Sequence, residues 1–159
     1  MKQIVGVADM KVSNDVNDTI ITYSLGSCIG LVIYDPFARV GGILHYMLPD
    51  SSIDRAKAKA NPYMFADTAI PRLFKHSYTL GAKKQRMKIY IAGGAEILDQ
   101  NGFFNIGKRN YMALKKLFFK NNVLIGKQNV GGNVNRTVRL EIATGDIWVK
   151  TSGSGEEKI

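Results

Sequence analysis

Between Ile29 and Leu48 the chain reads Ile-Gly-Leu-Val-Ile-Tyr-Asp, then Pro-Phe-Ala-Arg, then Val-Gly-Gly-Ile-Leu-His-Tyr-Met-Leu. Two apolar runs flank a short segment that opens with Asp-Pro. They read as a β-hairpin, because proline pre-sets the backbone of the second turn position. No other stretch constrains the fold as much, since the length of this turn decides which side chains share a face.

The side chains at stake are Cys28 and His45. If Asp35 pairs with Ala38, Cys28 lies directly opposite His45; with a loop two residues longer, Gly30 lies opposite His45 and Cys28 is its diagonal neighbour. Either register puts the pair on one face, roughly 5 to 8 Å apart. A loop with an odd number of residues would place them on opposite faces.

Cys28 is the only cysteine in the chain. It follows Gly26-Ser27 at a break between a polar strand end and the apolar run. A free thiol, with a pKa of about 8.5, needs help to become a nucleophile, and an adjacent imidazole can take its proton and stabilise the thiolate. A third group normally holds the imidazole in one tautomer, and Thr22, at the end of Thr19-Ile20-Ile21-Thr22, is the nearest polar candidate. The Cys28 amide, with a neighbour freed by Gly26 and Ser27, could form an oxyanion hole. The plainer alternative is an inert core thiol, the commoner role of cysteine.

Composition bounds these readings. The chain has 159 residues, 45% hydrophobic and 22% charged, which suits one globular domain with a real core. One cysteine excludes an internal disulfide, and one cysteine with two histidines falls short of a closed zinc site, so no metal or cofactor is expected. Asp9 and Lys11 interrupt any signal-peptide core, and no apolar run approaches the roughly 18 residues of a membrane helix. A cytoplasmic protein without membrane insertion is expected. The net charge of +9 could attract an acidic protein, nucleic acid or an anionic surface, without choosing among them.

Along the chain, Gln3 to Val12 is β-prone, 13–18 is a polar turn cluster, and Thr19 to Ser24 is a β-branched strand. After the hairpin, Pro49 to Lys59 reads as a loop about a dozen residues long. A helix is expected from about Pro62 to Leu80, burying Ala66, Ala69, Ile70, Leu73, Phe74 and Ser77, with Pro71 kinking or splitting it near Ile70. A strand over Met87–Ala92 ends in Gly93-Gly94-Ala95, which lacks the spacing of a phosphate loop and fits tight packing beside the site. Asn101-Gly102 signals a turn, and Asn105 an N-cap for a helix over Ile106–Lys120. That helix buries Ala113, Leu114, Leu117 and Phe118 and turns Lys108, Lys115, Lys116 and Lys120 outward. After Val123–Lys127 and a glycine turn at Gly131-Gly132, two strands are expected over Thr137–Ile142 and Asp146–Lys150, with a domain spanning 1–150 and a mobile polar tail over 151–159. The pattern argues an α+β layered sandwich, with mixed or antiparallel sheets and two amphipathic helices outside.

Several ordered segments carry a resemblance: Thr22-Tyr23-Ser24-Leu25-Gly26-Ser27-Cys28, His45-Tyr46-Met47-Leu48-Pro49-Asp50, Tyr63 to Ile70, Ile91 to Ala95, Asn105 to Asn110, and Gly131-Gly132 with Arg136. Together they resemble the CheD family of chemoreceptor glutamine deamidases over nearly all of the chain up to about Lys150. The chain departs from the family pattern at Asn129-Val130, where an acidic residue is expected, and at Asn135, where glycine is more usual.

The resemblance implies a sandwich related to other cysteine hydrolases, with Cys28 as nucleophile, His45 as general base and acid, and Thr22 orienting His45. It implies glutamine side chains in the cytoplasmic helices of methyl-accepting chemotaxis receptors as substrate, and glutamate plus ammonia as products. It also implies a CheC-type phosphatase as regulatory partner, and no role for nucleic acid. The competing class is a basic binding module that recruits an acidic partner or nucleic acid while Cys28 stays structural.

Overall fold

A computed structural model describes residues 1–96 and 105–159; the turn signal at Asn101-Gly102 lies outside the described residues. The elements are β1 (Lys2–Val5), β2 (Asp9–Ser13), β3 (Thr19–Leu25), β4 (Ile29–Asp35), β5 (Val40–Tyr46), α1 (Arg55–Ala60), α2 (Ala66–Thr79), β6 (Lys88–Gly93), α3 (Ile106–Lys120), β7 (Lys127–Val130), β8 (Arg136–Glu141), β9 (Ile147–Thr151) and β10 (Glu156–Lys158).

The strands form two five-stranded sheets, ordered β1-β3-β8-β9-β10 and β2-β5-β4-β6-β7. β1–β3 and β6–β7 pair in parallel and the other ladders are antiparallel. The layered α+β arrangement with mixed sheets is therefore as expected.

The β4–β5 hairpin is buried at every position because it lies in the middle layer. Alternate residues serve two cores, as the two-residue period of a strand requires. Ile29, Leu31, Ile33 and Leu44 face the helices, where they meet Ile70, Leu73, Phe74, Leu114 and Phe118. Val32, Tyr34 and Ile43 face the other sheet and pack with Ile20, Leu25, Val138, Leu140 and Val149.

The turn closes with the longer of the two even registers. Asp35 pairs with Val40, so Gly30 stands opposite His45. The Asp35 carboxylate accepts the amides of Phe37 (2.9 Å) and Ala38 (3.2 Å) across the turn. It also accepts the Lys83 amide (2.9 Å) and pairs with the Arg86 guanidinium at 2.8 Å. Burial pushes its pKa up, but these donors outweigh burial and hold the carboxyl below its ordinary range. Removing one partner of a buried pair strands the other, so Asp35→Ala should cost about 3 to 5 kcal/mol of stability, read as a lower urea midpoint.

The structure refines several expectations. The β-prone run from Gln3 to Val12 is two strands in different sheets, broken at Gly6-Val7-Ala8, where Ala8 has a positive φ and Asp9 Oδ2 accepts the Gly6 amide at 3.1 Å. The Pro49–Lys59 stretch contains α1, started by the Asp54 side chain accepting the Lys57 amide at 3.1 Å. Pro71 sits inside a continuous α2 without splitting it. The lost bond falls on the carbonyl of Asp67, an exposed residue where water can substitute. The tail folds back: β10 pairs with β9, and Ile159 packs against the inter-sheet core. Elsewhere α2 buries the six residues named from its period, and α3 spans 106–120, with Leu114 and Phe118 fully buried and Ala113 and Leu117 partly so. Between α3 and the Gly131-Gly132 turn the chain adds β7 at Lys127–Val130.

Candidate active site

Cys28 stands where the chain crosses from one sheet to the other. β3 loses register on β8 between Thr22 and Leu25, Ser24 takes a positive φ of 56°, and β4 begins in the second sheet at Ile29. A non-glycine residue in the left-handed region is strained and persists only where its surroundings hold it. The crossing leaves Cys28 half-buried, packed against the inter-sheet core. It immediately precedes β4 and packs into the inter-sheet core, the side of the hairpin that Gly30, opposite His45, also faces.

Thr22 comes from the opposite sheet. Its Oγ1 lies 2.8 Å from His45 Nδ1 and donates to the Val5 carbonyl at 2.9 Å. A hydroxyl has one hydrogen. Since Thr22 gives it to Val5, it accepts from Nδ1–H, and the remaining ring nitrogen, Nε2, carries the lone pair. Nε2 is buried with no hydrogen-bond partner among the described residues. An imidazole locked in this tautomer, with its basic nitrogen unspent, is the arrangement a general base requires.

Electrostatics make the resting pair neutral. His45 is 1% exposed, and burial lowers its pKa from 6.5 to about 4, with the Asp9 carboxylate opposing. Asp9 pairs with His45 across β2–β5, a neighbour that sequence reading takes only as a charge interrupting an apolar run. Burial pushes the Cys28 thiol up, against the pull of its own backbone amide. Burial thus favours the uncharged form of both the thiol and the imidazole.

The same shift has a consequence for folding. Above pH 6.5 His45 is neutral in both folded and unfolded chains and contributes nothing. Below it the unfolded chain binds a proton that the folded one refuses, so stability falls as pH drops from 6.5 towards 4, by up to roughly 3 kcal/mol. Urea unfolding of the native chain and of His45→Asn at pH 7 and pH 4.5 should show the native chain losing more stability on acidification.

The crossing loop is held from beyond β6. The Gly94 amide donates to the Cys28 carbonyl and the Ala95 amide to the Gly26 carbonyl, both at 2.9 Å. The glycine stretch thus packs beside the site, as read from its spacing. At Gly93 φ is 110°, and a Cβ would sit 2.1 Å from the Cys28 carbonyl oxygen. Gly93→Ala must push the loop that carries Cys28 aside, and a shift of about 1 Å in a catalytic loop costs on the order of 100-fold in rate, the loss expected here. The check is kcat measured on variant protein shown by circular dichroism to be folded.

Arg136 anchors the far side of this stretch, donating to the carbonyls of Gly93 (3.2 Å) and Gly131 (2.9 Å) and to Asn129 Oδ1 (3.0 Å). The departure at Asn129 therefore changes the character of this contact, from the ion pair an acidic residue would make to a hydrogen bond from the guanidinium to an uncharged acceptor. Asn135 lies outside it, its amide donating to Ser152 Oγ at 3.1 Å.

No group of three or more His, Cys, Asp or Glu side chains among the described residues could hold a metal ion. The grooves along α2 and α3, lined by Phe74, Tyr78 and Leu117 on one side and by Arg109, Lys116 and Phe119 on the other, touch none of Thr22, Cys28 and His45. No helix among the described residues is long and apolar enough to cross a membrane.

Comparison with known proteins places the chain in a family. Residues 47–151 match the family described as CheD chemotactic sensory transduction. Relatives extend over the amino-terminal strands as well. A protein of Syntrophus aciditrophicus named "Probable chemoreceptor glutamine deamidase CheD 1" is 59% identical over 150 residues, 94% of each chain. "Probable chemoreceptor glutamine deamidase CheD" of Solibacter usitatus is 51% identical, covering 98% of this chain and 92% of its own. A protein of that name from Clostridium acetobutylicum is 42% identical, covering 98% and 93%. With a family match over most of its length and relatives this close over nearly all of it, the chain belongs to the CheD family.

Proposed function

We propose that this protein deamidates glutamine side chains of methyl-accepting chemotaxis receptors, contributing to chemotaxis adaptation, with Cys28 as nucleophile, His45 as general base and acid, and Thr22 as the residue that orients His45. The observation that carries the reading is the Val5–Thr22–His45 chain, which leaves Nε2 lone-paired on the face that Cys28 shares. The names of the relatives supply the substrate class.

The thiol proton passes to His45 Nε2 as the sulfur bonds to the glutamine side-chain carbon, whose oxygen takes up the negative charge. When the oxyanion collapses, the carbon–nitrogen bond breaks and His45 returns the proton to departing ammonia. Water, deprotonated by the same nitrogen, opens the thioester to glutamate and restores the thiol. No redox partner or metal is called for by this sequence.

The exposed lysines of α3, at 108, 115, 116 and 120, support steering towards carboxylate-rich receptor helices. Raising salt from low to physiological ionic strength should therefore lower kcat/KM and leave kcat nearly unchanged. A cytoplasmic setting suits a working free thiol and a receptor substrate. A CheC-type phosphatase follows from the family resemblance as a second partner, and its addition should compete with receptor if it takes the same face.

The experiment is mass spectrometry of a purified receptor cytoplasmic fragment incubated with the protein. Each deamidation adds roughly one mass unit, peptide mapping locates the glutamine, and an ammonia assay gives the rate. Binding of the fragment without mass gain or ammonia would leave the protein an adaptor.

A further inference from the structure

Asn110 belongs to one of the sequence segments that carry the family resemblance, yet its residue type alone points to no role. It is fully buried in α3, and its Nδ2 donates to two main-chain carbonyls, Ser27 at 2.9 Å and Met47 at 2.8 Å. Both partners are acceptors, which settles that the nitrogen, not the oxygen, of the carboxamide faces them. Ser27 immediately precedes Cys28, and Met47 follows the strand that carries His45. One side chain thus ties the loop of the nucleophile to the strand of the base, across 83 and 63 residues of sequence.

The carbonyl it holds has a consequence on the other side of the peptide. In a trans peptide the C=O and the N–H of the next residue point in opposite directions, and there is no cis peptide bond among the described residues. Pinning the Ser27 carbonyl towards α3 turns the Cys28 N–H away from α3. The carbonyls of Gly26, Ser27 and Cys28 are in turn held by Ala95 N, Asn110 Nδ2 and Gly94 N. With these carbonyls held, the orientation of the Ser27–Cys28 peptide is fixed from the protein side.

The base of this clamp is rigid. The Tyr46 hydroxyl donates to the Asn110 carbonyl at 2.7 Å, next in sequence to His45. At Gly107, one turn earlier on α3, a Cβ would lie 2.4 Å from the Ala95 carbonyl and 2.5 Å from that of Gly94, so the helix comes this close only because the residue is glycine.

We propose that Asn110 is a positioning residue for the reaction: its carboxamide fixes the Ser27–Cys28 peptide so that the Cys28 N–H is aimed at the oxyanion formed when Cys28 attacks the glutamine carbonyl. The inference rests on the deamidase reading. It assigns Asn110 no contact with substrate and no part in proton transfer. An aimed donor matters to the tetrahedral oxyanion far more than to the ground-state amide, so its loss lowers kcat and spares KM.

The test compares two reactions of Cys28 in the native chain and in Asn110→Ala. Deamidation of the receptor fragment passes through an oxyanion; alkylation by iodoacetamide, a displacement at saturated carbon, does not. Asn110→Ala should lower kcat on the order of 100-fold, leave KM within about threefold, and leave the alkylation rate within about threefold. Asn110→Ser, which can keep one donor, should fall between the two chains. A kcat within about threefold of native, or alkylation falling in parallel with deamidation, overturns the proposal. So does failure of both variants to fold, which would make Asn110 a core residue and nothing more. Native protein that alkylates but never deamidates the fragment overturns the deamidase reading instead.

Discussion

Cys28→Ala will leave the receptor fragment unmodified. The loss in rate should be on the order of 10⁴-fold or more, because no other group in the site can form the acyl intermediate. The substitution itself is mild. Cys28 is half-buried at the edge of the inter-sheet core, and exchanging its sulfur for hydrogen there costs about 1 kcal/mol or less, so the thermal midpoint should move only a few degrees. Binding of the receptor fragment should survive. Ammonia release by Cys28→Ala at the native rate would remove Cys28 from the mechanism and return it to the core.

His45→Asn carries the second large effect. Asparagine can keep a side-chain N–H close to where Nδ1–H meets Thr22, so the buried hydrogen bond has a replacement while the basic nitrogen is lost. Deamidation should fall about 10²- to 10⁴-fold, the range for loss of a general acid–base group. Because burial holds native His45 near 4, native kcat/KM should show no acid limb until the pH approaches that value, and His45→Asn should lack that limb altogether. Thr22→Val gives the complementary result. It leaves Nδ1–H and the Val5 carbonyl without their shared hydroxyl, at a cost of about 1 to 3 kcal/mol, and frees the ring to take the wrong tautomer. An acid limb near pH 6.5 in the native enzyme would contradict the buried, neutral base.

The hairpin shows how far local sequence reaches. Asp-Pro and the two apolar runs are short-range signals, and they locate both strands and the four-residue turn. Two even registers nevertheless remain open from sequence. The choice falls to Asp35, whose carboxylate organises the turn and is itself held by Lys83 and Arg86 from roughly 50 residues away. Likewise the run before Ser13 is legible as β-prone, but nothing in its composition says that it must serve two sheets. The polar tail looks mobile because the strand it pairs with is a tertiary partner, invisible to local propensity.

From sequence alone come the layered α+β class, the buried faces of α2 and α3, and the candidacy of Cys28, His45 and Thr22. These rest on periodicity, turn chemistry and residue type, all of them short-range properties of the chain. Only the tertiary structure decides that Thr22 reaches His45 from the opposite sheet, that Asp9 stands across from it, and that Asn110 clamps the loop of Cys28. Hydrogen bonds across 23, 63 and 83 residues depend on how layers stack, and stacking is set by burial of whole faces rather than by any local run of residues.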